Sequence, residues 1–165
     1  YLSDVMPANC FIVNSSPAAI RDLITKADLV VGAALVPGAR TPVLVTRDML
    51  KTMKKGTVLV DVAIDQGGCF ETSRETTHHQ PTYILDTIVH YAVSNMPGAL
   101  PRTSSLALTN ATLPYVLEIA GKGWKKALQE NSEIKRGANV VQGKVTFKGV
   151  ADALNLKYTP VDELI

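Results

Sequence analysis

VLVDVAIDQGGCF, residues Val58 to Phe70, decides the fold. Its first half, Val58 to Ile64, is a short apolar run rich in β-branched residues, with Gly56 before it and Gly67-Gly68 after it. A run of that length between glycines reads as a buried strand of a parallel sheet. Just past its carboxyl end come Asp65, Gln66 and two glycines, a carboxylate beside backbone free of side chains. Open α/β sheets bind ligands at that end of their strands.

Working upstream, Asp28 opens the run Leu29-Val30-Val31-Gly32-Ala33-Ala34-Leu35, whose front reads as a second buried strand. Its back is almost free of bulky side chains, so another group can approach the backbone; a neighbouring helix and a flat ligand ring both fit that spacing. The Pro37-Gly38 loop follows, then Thr46 as N-cap of a helix bearing Met49, Leu50 and Met53 and closed by Gly56. Further back, Cys10 to Val13 reads as a short strand, and Ser16-Pro17 starts a helix running to about Lys26.

Downstream, Glu71 to Pro81 is a long polar connection, the kind that carries function or moves. Tyr83-Ile84-Leu85-Asp86 and Ile88 to Val93 are separated too tightly for a crossover helix, which predicts a hairpin or a bent strand. Ser94 to Pro101 breaks regular structure and marks a boundary between two lobes. Thr103 to Asn131 is helical in composition, but Pro114, Gly121 and Gly123 predict two or three short helices. The tail reads as a hairpin about Gln142-Gly143 and a helix near Val150 to Leu154. Strands alternating with helices make the class α/β: a partial Rossmann-type, doubly wound parallel sheet over residues 1–98, with a carboxyl-terminal helical segment over 99–165.

Composition excludes several function classes. The 165 residues fit one soluble domain by length, and 17 basic against 15 acidic residues are spread without a basic block, so no nucleic-acid or anionic-lipid partner is expected. Apolar runs such as Leu29 to Pro37 fall far short of the roughly 18 residues that span a bilayer, and no leader opens the chain; a soluble, cytoplasmic protein is expected. Cys10 and Cys69 stand too far apart for a thiolate motif and read as buried thiols. The chain opens at Tyr1, within what reads as a βα connection, which suggests a fragment.

The chemistry-bearing residues are few. Neither a GxGxxG fingerprint nor a GxxxxGK phosphate loop is present. Asp65 can hold a ribose, orient an amine or shuttle a proton, or it can simply cap a turn. Asp61, inside the strand, reads equally as a polar residue satisfied by backbone. His78-His79 and His90 do not make a zinc set and read as surface imidazoles, so no metal is expected. Arg40 and Arg74 suit pyrophosphate oxygens or solvent.

Longer motifs carry more. DVAIDQGGC from Asp61 to Cys69, ETSR ending at Arg74, HYAVSNMPGALPRTS from His90 to Ser104, ALTNATLPYVLE from Ala107 to Glu118 and VGAALVPGARTP from Val31 to Pro42 together resemble the carboxyl-terminal half of the L-alanine dehydrogenase family. The resemblance runs to at least Trp124. It implies NAD as cofactor, reversible oxidative deamination of L-alanine to pyruvate and ammonium, and a cytoplasmic homohexamer. It further implies Asp65 as the acid/base carboxylate. Val62, Ala63, Ile64 and Asp65, with Val93, Ser94, Asn95 and Met96, would line the nicotinamide half of the cofactor. Ala34 and Leu35 would pack near it, Ser15 would lie near the adenosine half, and Arg74 would be a further contact. The family's substrate lobe, its carboxylate-binding lysine and arginine, its catalytic histidine and its glycine fingerprint would precede Tyr1. These 165 residues alone are therefore expected to bind NAD weakly and not to oxidise alanine. Two other readings remain open: the NAD-binding component of a proton-translocating transhydrogenase, and a non-catalytic binding module.

Overall fold

Strand β2, the predicted organiser, occupies Val58–Asp61 at the centre of a four-stranded sheet. The computed structural model describes all of residues 1–165. Ahead of β2 come helix α1 (Leu2–Val5), helix α2 (Pro17–Ile24), strand β1 (Leu29–Gly32) and the single turn α3 (Arg47–Leu50). After it come strands β3 (Thr82–Leu85) and β4 (Ile88–Tyr91). The sheet order is β1-β2-β4-β3; β2 pairs in parallel with β1 and β4, and β3 closes one edge antiparallel. The class is α/β with a mainly parallel sheet.

Two compact units divide the chain: Tyr1–Ala34 with Thr41–Ser94, and Leu35–Arg40 with Asn95–Ile165. In the first unit the core gathers Ile24, Val45, Met49, Leu50, Met53, Leu59, Cys69, Phe70 and Ile88. Each large apolar side chain buried there contributes about 1.5–3 kcal/mol of transfer free energy. Helix α2 starts as predicted: Ser16 Oγ accepts from the Ala19 N–H at 3.1 Å, and Pro17 fills a first-turn position whose N–H has no helical acceptor.

Several expectations need correction. Cys10 to Val13 forms no strand; no neighbour offers it a hydrogen-bonding ladder, and Phe11 is 88% exposed. β1 ends the sheet, and Leu29 and Val31 lie on a face that no other layer covers, beside the half-exposed Val58 and Val60, so they are exposed rather than buried. At its end, the glycine makes room for the returning chain. A Cβ on Gly32 would stand 2.7 Å from Cys69 Cβ and 2.8 Å from the Phe70 ring, so the returning chain occupies that space. The hairpin is as expected, with a two-residue loop of Asp86 (φ 51°) and Thr87 (φ 69°).

The second unit holds helices α4 (Pro101–Lys122), α5 (Trp124–Glu130) and α6 (Ser132–Arg136), the hairpin β5 (Val140–Val141) and β6 (Lys144–Val145), and helix α7 (Lys148–Leu154). Pro114 does not break α4, which runs 22 residues through it. A proline removes one N–H from the ladder, and the turns on either side of it hold the rest. The break falls instead at Gly123, whose φ of 79° and ψ of 151° no helix accommodates. Asn131 then caps α6, its Oδ1 accepting from the N–H groups of Glu133 and Ile134. No residue of α4 is buried, although Leu106, Leu108, Leu113, Val116 and Leu117 are spread around it. No helix is long and apolar enough to cross a membrane.

Candidate active site

The turn after β2 carries Asp65. Val62 donates its N–H to Gly32 O at 2.8 Å, so pairing with β1 runs to the last residue before the chain folds over. Ile64–Gln66 then form one 3₁₀ turn, closed by N–H bonds from Gln66 and Gly68 to Ala63 O and from Gly67 to Ile64 O. Gly67 (φ 99°) and Gly68 (φ 79°) return the chain through conformations that side chains disfavour. Thr41 N–H donates to Gln66 O at 2.8 Å and secures the tip. Asp65 is exposed there, past the carboxyl end of the central strand.

Its partner comes from the chain just past the adjacent parallel strand β4. Ser94 Oγ donates to Asp65 Oδ1 at 2.7 Å. Ser94 is itself placed by the connection before the hairpin: its N–H donates to Thr76 O, and the Thr76 N–H donates to Ala92 O. Asp65 and Ser94 thus meet at the carboxyl ends of β2 and β4, where open α/β sheets take ligands.

The other residues named from the sequence differ in what they expose. Val62 is 48% exposed at the end of β2, and Ile64 is half-buried. Ala63 is almost wholly buried and Val93 wholly so, which leaves Val93 no surface, side chain or backbone, for a ligand to touch. Ala34 is partly buried against the core. Ser15 is exposed just ahead of the α2 cap. Leu35, Asn95 and Met96 belong to the second unit, with Asn95 in a left-handed conformation (φ 53°) opening the turn Met96–Ala99.

Arg74 is less free than the sequence implies. Its guanidinium carbon lies 4.2 Å from the centroid of the Tyr83 ring, and Tyr83 in turn stacks on His90 at 4.8 Å and 14°. The Arg74 N–H donates to the Tyr83 hydroxyl, which donates to Thr72 O at 2.7 Å. His90 is no surface imidazole: it is 1% exposed. With Ile88 O 3.1 Å from Nδ1, that nitrogen carries the proton, and Nε2 accepts from Thr72 Oγ1 at 2.8 Å. Burial pushes the His90 pKa below its ordinary value and the Tyr83 phenol above its own. Ser94 as the carboxylate's donor, and this stack, had no local signal, because each contact joins residues far apart in sequence.

Residues 1–148 match the family Alanine dehydrogenase/PNT, C-terminal domain. The chain belongs to this family. Alanine dehydrogenase of Halomonas elongata is 56% identical over 153 residues, covering 93% of this chain and 41% of that protein. A solved L-alanine dehydrogenase aligns with a TM-score of 0.77 and 42% identity, over 94% of this chain and 43% of its own. A transhydrogenase from Sinorhizobium meliloti aligns less fully, with a TM-score of 0.50 and 33% identity over 56% of this chain and 26% of its own. As a member of the alanine dehydrogenase/PNT family, the chain spans well under half the length of the alanine dehydrogenases it matches.

Proposed function

We propose that this chain is the cofactor-binding half of an NAD-dependent alanine dehydrogenase, which converts L-alanine and water to pyruvate and ammonium with reduction of NAD, and runs in reverse. The observation that carries the reading is Asp65, an exposed carboxylate at the carboxyl end of the central strand, oriented by Ser94. The family match and the alanine dehydrogenase relatives support it.

The residues present fit a nicotinamide nucleotide. A flat ring beside a ribose needs apolar surface next to polar groups, and exposed Val62 stands three residues before Asp65 on one turn. Val62, Ile64 and Ser94 would hold the nicotinamide half, with the Ala63 turn beneath them. Ala34 would pack beside it, and Ser15 and Arg74 would serve the rest. NAD bound there would supply the acceptor for the hydride that leaves the α-carbon of alanine. Asp65 moves the protons: Ser94 occupies Oδ1, leaving Oδ2 to take a proton from the substrate amine or from the attacking water and to return it in the reverse direction. The groups that grip the alanine carboxylate belong to the part of the relatives' length that this chain does not cover. A cytoplasmic homohexamer is the assembly we propose. The exposed Leu106, Leu108, Leu113, Val116 and Leu117 of α4 support a protein partner, since apolar surface on that scale is stabilised when covered.

The transhydrogenase likeness supports a second reading, hydride exchange between nicotinamide nucleotides. One assay separates the two. The complete gene product should consume NADH in saturable dependence on pyruvate and ammonium; NADH–NADP exchange indifferent to pyruvate would favour the second reading and contradict the first.

A further inference from the structure

Asp61 is 1% exposed and has no cation against it. A buried carboxylate is tolerated only when donors surround it. Four do: the Ala63 N–H reaches Oδ1 at 3.2 Å, and Oδ2 accepts from the N–H groups of Cys69 (2.9 Å) and Phe70 (3.4 Å) and from the Ser73 hydroxyl (2.5 Å). Ala63 precedes the Asp65 turn and Cys69 follows it, so one side chain grips both ends of the loop. Ser73 is the neighbour of Arg74, so the same carboxylate also ties down the segment resting on Tyr83.

The surroundings are built for this acceptor. All four contacts are donors, so only a group with no proton of its own satisfies them together. Gly68 leaves the room: a Cβ there would stand 2.7 Å from Asp61 Oδ2 and 3.1 Å from Ser73 Cβ.

We propose that Asp61 is a positioning residue for the reaction: its carboxylate fixes the loop that presents Asp65 and couples that loop to the Arg74 segment through Ser73. The proposal rests on the reading of Asp65 as acid/base. Asp61→Asn keeps the shape but turns an N–H₂ toward one of the four donors, so the loop must shift at one end. Ser73→Ala is the milder change, removing one donor and leaving the carboxylate.

The test compares wild type, Asp61→Asn, Ser73→Ala and Ser73→Thr in the complete gene product. Three readings are taken: kcat per folded molecule, the pH profile of kcat/KM for alanine, and the ¹³C carboxyl resonance of Asp65 followed against pH. Expected are a kcat about tenfold or more lower in Asp61→Asn, a smaller loss in Ser73→Ala, recovery in Ser73→Thr, and a displaced Asp65 titration in the first two. Should Asp61→Asn not fold, Ser73→Ala with its threonine rescue decides the matter alone. Wild-type titration of Asp65 in both variants, or kcat within threefold of wild type once corrected for folded protein, would overturn the proposal. A wild type that turns over no alanine would instead defeat the functional reading, and the Asp65 resonance would still report whether Asp61 positions the loop.

Discussion

Ser94 Oγ donates to Asp65 Oδ1 at 2.7 Å although the two residues stand 29 apart in sequence. They meet because β2 and β4 are parallel neighbours in register, Val60 opposite Tyr91, so chain leaving each strand at its carboxyl end arrives at the same place. Parallel pairing therefore explains how a serine with no local relation to the carboxylate becomes its donor.

Removing that donor should slow turnover without unfolding the protein. Ser94→Ala withdraws one hydrogen bond to a carboxylate that is largely in solvent, worth about 1 kcal/mol. In the complete gene product we expect kcat for alanine oxidation about fivefold below wild type, with a thermal midpoint close to unchanged. Steady-state kinetics beside a melting curve checks both halves.

His90 makes stability depend on pH. Its folded-state pKa lies below the ordinary histidine value near 6.5, mainly because the ring is buried, with Tyr83 on one face and Thr72 at Nε2. Below about pH 6.5 the unfolded chain therefore binds a proton that the folded chain resists. The contribution is complete above that pH and is lost as pH falls toward the folded value. Urea unfolding should show a midpoint roughly 0.5 M lower at pH 5.5 than at pH 7.5, and His90→Phe should flatten the difference.

The fold was largely legible because its signals are local. The β2 run, the Ser16-Pro17 helix start, the Ile88 hairpin and the Gln142-Gly143 turn each depend on residues close in sequence, and each formed. Where the outcome turned on neighbours, the sequence was silent. Cys10 to Val13 has strand composition and no strand to pair with. β1 reads as buried, yet its burial depends on which layer covers that face of the sheet. Pro114 reads as a helix break, and the ladder on both sides outweighs the one bond it loses. In the site, Asp65 stood out through its place after a buried run. Asp61 did not, since an aspartate inside a strand signals nothing until the donors of residues 63, 69, 70 and 73 are seen to converge on it.

The β3–β4 loop offers a stability test free of the site. Thr87 holds φ at 69°, a left-handed conformation that is strained for a β-branched side chain, whereas two-residue hairpin loops favour Asp-Gly. Thr87→Gly relieves about 1–2 kcal/mol of strain and returns part of it as unfolded-state entropy. The thermal midpoint should rise by roughly 3 °C, as differential scanning calorimetry would record.

The most direct measurement is turnover by Asp65→Asn in the complete gene product, assayed as NADH formation from L-alanine and NAD. The side chain is exposed, so the variant should fold with a wild-type melting curve, and kcat should fall by about a hundredfold or more because the amide cannot take up a proton. Alanine oxidation within a few-fold of wild type by that variant would contradict the account.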